Sequence, residues 1–202
     1  GGSHSAANAG AGGLTTVPYS AAYTKSTSRT YAMTGSGDAT TLIDVGSFYL
    51  GATQTARFDS WIENTSASLV GVSGAQARNT VNADTQALLG TAGYVVADNV
   101  TMQAGNAINK ASPGAKIPGT GYDTPGWNVV SSSGGLADVP AAESATTIVA
   151  DALLQVGAGA RIEQNGAARG IRLDAWNTLA VTDKVKMASG GAVSAASAKS
   201  SI

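Results

Sequence analysis

The chain has 202 residues, one histidine and no cysteine, with 12 Lys+Arg against 13 Asp+Glu for a net charge of −1. That balance offers no basic field to nucleic acid or an anionic membrane. The lack of cysteine removes both a disulfide framework and a thiolate metal site, and no apolar run approaches the ~18 residues that would suggest a membrane-spanning helix.

Charged residues are only 12% of the chain and 43% is hydrophobic, a composition that supports a core rather than charge-driven disorder. The apolar material is mostly Ala and Val, with only two Phe, and Gly counts 26. Such residues build thin, closely stacked strands with Gly and Asn in tight turns.

In chain order, Gly1–His4 has neither a basic region nor an apolar run, so it is not a signal peptide; it reads as a tag scar. His4 is expected in a flexible start, where no multi-histidine zinc site or His-based triad can form. The patch Gly12-Gly13-Leu14-Thr15-Thr16-Val17-Pro18 follows, and then the Ser-, Thr- and Tyr-rich stretch Tyr19–Gly37, expected to be an inserted loop.

Ala56–Ile62 alternates with period two, the mark of a half-buried strand. Phe58 is expected inward, with Arg57, Asp59 and Trp61 on the outer face. Ser73 in Val72-Ser73-Gly74 reads as a turn serine without a base to activate it. A second inserted loop is expected over Ser112–Gly126, which holds three of the five prolines.

Beyond it the chain repeats itself. Gly134-Gly135-Leu136-Ala137-Asp138-Val139-Pro140 repeats the Gly12–Pro18 patch at an offset of 122 residues. Arg172-Leu173-Asp174-Ala175-Trp176 repeats Arg57-Phe58-Asp59-Ser60-Trp61 at 115, and Gln155-Val156-Gly157-Ala158 loosely repeats Asp44-Val45-Gly46-Ser47 at 111.

The long unit is therefore about 12–133, with a partial second copy over 134–202, in one continuous solenoid spanning 1–202. Shorter matches lie inside it. Val100–Asn106 resembles Ile171–Asn177, and Ser132-Ser133-Gly134-Gly135-Leu136 resembles Ala188-Ser189-Gly190-Gly191-Ala192. Leu88-Leu89 with Tyr94-Val95-Val96 resembles Leu153-Leu154 with Ala160-Arg161-Ile162.

Patches recurring every 10 to 20 residues suit β-solenoid rungs better than helical repeats. The best helical candidates, Ala141–Thr147 and Ala192–Ser200, are weakened by Ser and β-branched residues and read as rungs too. The second unit stops early and neither end carries a polar cap, so covering neighbours are expected.

Val156-Gly157-Ala158-Gly159-Ala160, the run Asp183–Ser194 and the Ala/Ser/Asn-rich rungs together resemble the repeat region of large filamentous bacterial adhesins of the filamentous-haemagglutinin and leukotoxin-like type. The resemblance implies a right-handed parallel β-helix, a secreted or cell-surface location, and a role in attachment, biofilm or fibre formation.

Catalytic, cofactor and metal residues are expected to be absent. Asp59 and Asp174 are the obvious carboxylates for a polysaccharide-acting β-helix enzyme, but an active site is seldom duplicated along a scaffold. Ser189 in Ala188-Ser189-Gly190 reads as a turn serine. Val156–Gly159 lacks the third glycine and the helix of a dinucleotide loop.

Trp61, Trp127 and Trp176 are candidates for ligand stacking in a carbohydrate-binding module. The expected partners are neighbouring repeats or identical copies stacked head to tail, and glycans or a host surface.

Overall fold

In a computed structural model, described over residues 2–35, 42–111, 114, 116–117, 122–123, 126–166 and 170–202, the chain is all-β with no helix among the described residues. The strands are β1 (Gly2–Thr16), β2 (Tyr19–Thr34), β3 (Leu42–Leu89), β4 (Tyr94–Lys110), β5 (Lys116–Ile117), β6 (Tyr122–Asp123) and β7 (Val129–Gly134). They continue as β8 (Ala137–Val156), β9 (Arg161–Glu163), β10 (Gly170–Ala180), β11 (Val185–Ser189), β12 (Val193–Ser194) and β13 (Ser197–Ser201). Every pairing is parallel except the small antiparallel pair β5–β6, which forms a sheet of its own.

The chain returns to the same register position at Gly2, Arg57, Asn109 and Ala180, after 55, 52 and 71 residues. The third pass is longer because Phe58 pairs with Lys110 and Ile62 with Val129, so 111–128 replaces 59–61. The 122-residue recurrence therefore spans two passes, since Gly12 pairs with Ala67 and Ala67 with Gly134.

The matches of Val100–Asn106 with Ile171–Asn177 and of Ser132-Ser133 with Ala188-Ser189 are directly stacked. Other matches are not. Arg172–Trp176 stands on Thr101–Gly105, which stands on Tyr49–Thr53, so Arg57–Trp61 is a different position. Gln155 pairs with Leu88, and Asp44 with Val96, so those two patches are also unrelated. The match of Leu88 and Tyr94 with Leu153 and Ala160 is out of step: Leu88 pairs with Gln155 and Tyr94 with Arg161.

The core lies between two walls. Within β3, Leu50 clusters with Leu89, Ala52 with Ala87, Phe58 with Val81 and Ile62 with Ala77, so the strand doubles back on itself. Where Ala52, Ala87 and Ala104 meet, the interior is no thicker than methyl groups. That is how an Ala-rich chain fills a core at native density.

The strand alternation holds at Ala56, Phe58, Ser60 and Ile62, all buried. Leu173 pairs with Met102 on the inward register, yet it is 48% exposed because no described strand covers β10 from the other side.

At one corner Gly90 N donates to Thr34 O at 2.7 Å and Gly157 N to Leu89 O at 2.7 Å. Gly93 N returns to Gly90 O and Ala160 N to Gly157 O, each at 3.1 Å, closing two stacked four-residue turns. Their third residues, Ala92 (φ 56°) and Gly159 (φ 70°), take the positive φ of a type II turn.

Tyr19–Gly37 is corrected in part. Tyr19–Thr34 is a strand paired with Gly74–Leu89, and 36–37 lie outside the described residues. Its inward side is Ser, Ala and Thr, as a thin interior demands, so it lacks the large apolar residues that advertise a strand. Most of 112–126 also lies outside the described residues, apart from β5, β6, Gly114 and Gly126. Both helical candidates are strand or extended chain, in β8 and in β12–β13.

Candidate functional site

Ionisable groups collect where the third pass lengthens. The ends of the insertion sit above Asp59: Ala111 N donates to Phe58 O at 2.9 Å, and Asn128 Nδ2 to Ser60 O at 3.5 Å. Asp59, on the outward register, is consequently only 3% exposed. Below it His4, in β1 rather than in a loose start, pairs with it in register and brings Nδ1 to 3.8 Å from its carboxylate.

On the inward side Lys110, directly above Phe58, makes an ion pair with Asp183, and both side chains are essentially inaccessible. Thr146 Oγ1 donates to Asp183 Oδ2 at 3.1 Å and accepts from Lys110 Nζ at 3.4 Å.

Burial pushes the Asp59 carboxyl above its ordinary value of 3.8, and the Asp183 charge adds to this; His4, Lys110 and the Ser60 amide pull the other way and lose. Neither Asp59 oxygen has a hydrogen bond of acceptable geometry.

A carboxyl with a raised folded-state pKa binds its proton more tightly when folded. Its contribution to stability is therefore present below the ordinary carboxylate range and is lost as pH rises through the folded value. Asp59→Asn is expected to raise the melting midpoint at pH 7, with the gain shrinking as pH falls toward 4. Equal shifts at both pH values in thermal melts would contradict this assignment.

A second cluster lies on the outer face of β2 and the strands above it. Tyr19 and Tyr23 are each 61% exposed, flank Ala21, and donate their hydroxyls to Gln76 Oε1 at 3.1 and 3.2 Å. Gln76 stands on Ala21 and donates to Glu143 Oε2 at 2.7 Å, with Arg78 4.0 Å from the same carboxylate. The result is a trough with aromatic walls and a polar floor.

Further along, Tyr31 donates to Asp84 Oδ2 at 2.9 Å, which holds its phenol above the usual value and keeps it a donor. Beside it a cavity of about 230 Å³ is lined by Arg29, Asn82, Asp84 and Asp151 among others.

The residues expected from sequence are scattered. Asp59 pairs with His4 and Asp174 with Gln103, so the two carboxylates belong to separate positions and do not form an acid/base pair. Asp174 is bound by Arg172 at the surface, as expected, whereas Asp59 has no such bond to Arg57 among the described residues.

Trp61 stands on Ala6 and Trp176 lies over Gly105, while Trp127 stacks under Lys186 at 5.7 Å from the ring centroid. They form no common platform; the exposed aromatic side chains that gather are tyrosines.

Ser73 is no turn residue. It is buried in β3, bonded to Ser131 Oγ at 2.8 Å. Ser189 Oγ donates to Asp138 Oδ1 at 2.7 Å at the glycine corner. Val156–Gly159 is the end of β8 and the start of a stacked turn.

No family model, no curated protein and no solved structure matches the chain.

Proposed function

We propose that the chain is a structural segment of a right-handed parallel β-helix, a β-solenoid, which serves as part of a secreted or cell-surface filamentous bacterial adhesin and is not an enzyme. The parallel register and stacked turns support the solenoid. Right-handedness follows from the strong preference of parallel crossover connections.

The observation that carries the fibre reading is an open end. Ile171, Leu173 and Leu179 are 49%, 48% and 55% exposed, although they stand on Val100, Met102 and Ile108, which are 0–1% exposed. An apolar layer with unpaired backbone groups templates a further strand layer. The two ends of such a stack differ, so the covering layer belongs to a second copy placed head to tail, a contact that does not close on itself.

Sedimentation of the isolated chain over a range of concentrations tests this. Association that grows with concentration and yields elongated particles in electron micrographs is expected. A folded, strictly monomeric species at high concentration would sink the reading.

A second reading, a carbohydrate-binding surface, is favoured by the Tyr19–Tyr23 trough rather than by the tryptophans. Weak, saturable glycan binding lost in Tyr19→Ala/Tyr23→Ala would support it.

A further inference from the structure

The interior ion pair has a chemistry of its own. We propose that Lys110 and Asp183 condense into an intramolecular isopeptide bond that joins the third pass of the chain to the fourth. The Lys110 side chain is 0% exposed and that of Asp183 is 1% exposed, and Nζ touches Oδ1 directly. The surrounding wall is apolar, built from Phe58, Val81 and Ile108.

Two full charges held dry in such a place are costly, and their mutual attraction only partly offsets the lost hydration. Condensation removes both charges at once.

The reactants are also fixed in place. Thr146 Oγ1 bridges them at 3.4 Å to Nζ and 3.1 Å to Oδ2, and Asn79 Nδ2 holds that hydroxyl at 3.2 Å. Orientation of this kind replaces a bimolecular encounter by an effectively unimolecular step.

The reaction balances without any co-reactant. The ammonium passes a proton through the Thr146 hydroxyl to the Asp183 carboxylate. The Nζ lone pair attacks Cγ, and the N–C bond forms. The tetrahedral centre collapses, and one carboxyl oxygen leaves as water with two protons that came from the ammonium. The products are one neutral amide and one water.

The bond would span 73 residues of sequence and could form only after folding brings the two residues together.

Intact-mass measurement of the folded, aged wild-type chain is the test, followed by digestion and tandem mass spectrometry. The expected result is a chain lighter by one water, with a branched peptide joining Lys110 to Asp183. Lys110→Ala and Asp183→Ala retain the full mass.

Thr146→Val preserves the shape and removes the relay. It is expected to condense at least about tenfold more slowly, as loss of a positioned proton-transfer group predicts. Condensation of this variant at the wild-type rate removes Thr146 from the mechanism. Folded wild-type protein of full mass, with the Lys110 and Asp183 peptides unlinked, overturns the proposal, and that result depends on no variant.

Discussion

Asn106→Ala is expected to destabilise the chain by about 3–6 kcal/mol, because it leaves several buried polar groups without partners at once. Asn106 is fully buried in β4, between Gln54 below it and Asn177 above it in register. Its Oδ1 accepts from Gln54 Nε2 at 2.7 Å and from Thr85 Oγ1 at 2.5 Å. Its Nδ2 donates to Asp151 O at 2.8 Å and to Asn177 Oδ1 at 2.7 Å.

Both walls and three passes thus meet at one amide. Alanine supplies no donor or acceptor, and no described group is otherwise hydrogen-bonded in its place. Networks of this kind lose more than the sum of their pairs when broken in the middle. Denaturant midpoints compared with those of Asn177→Ala, the partly solvated end of the same column, check the claim. The terminal variant should cost clearly less, and equal losses would contradict the ladder.

Gly90→Ala is expected to cost about 4 kcal/mol or more, or to prevent folding, the scale associated with severe steric conflict. A Cβ at Gly90 would lie 1.4 Å from Gly35 O and 2.5 Å from Thr34 O. Both are backbone atoms of the pass below, fixed by the Gly90 N to Thr34 O bond.

No rotamer change relieves a clash with a carbonyl, so the corner itself would have to open, with Gly157 above it displaced as well. Gly46→Ala is the matched control, because nothing lies within 4 Å of a Cβ there. It should change stability by no more than about 0.5 kcal/mol. Thermal melts of the two variants should separate widely, and similar melts would argue against the close stacking at Gly90.

Some of this was legible before any coordinates. The Gly-Gly patches at Gly12, Gly134 and Gly190 recur because a tight corner is needed on each pass, and a Cβ at Gly135 would stand 1.9 Å from Ser68 O. Val100–Asn106 resembles Ile171–Asn177 because both contribute to one apolar stack and one amide column.

The length of a pass was hidden. Residues 111–128 stand where 59–61 stand in the pass below, and such an insertion obscures a period near 55. Arg57–Trp61 and Arg172–Trp176 share outward residues, which stacking does not constrain, so their likeness carried no register.

Composition and alternation by themselves determined that this chain is strand-forming, small-cored and repetitive. A Gly- and Ala-rich sequence with period-two patches can bury itself only by close stacking. The tertiary structure alone decided which patches lie over one another, that Tyr19–Thr34 is wall rather than loop, and that Lys110 meets Asp183. Those outcomes depend on contacts between residues some 50 to 75 positions apart. Local pattern reports the face a side chain takes, whereas the partner on that face is set by the length of chain that intervenes.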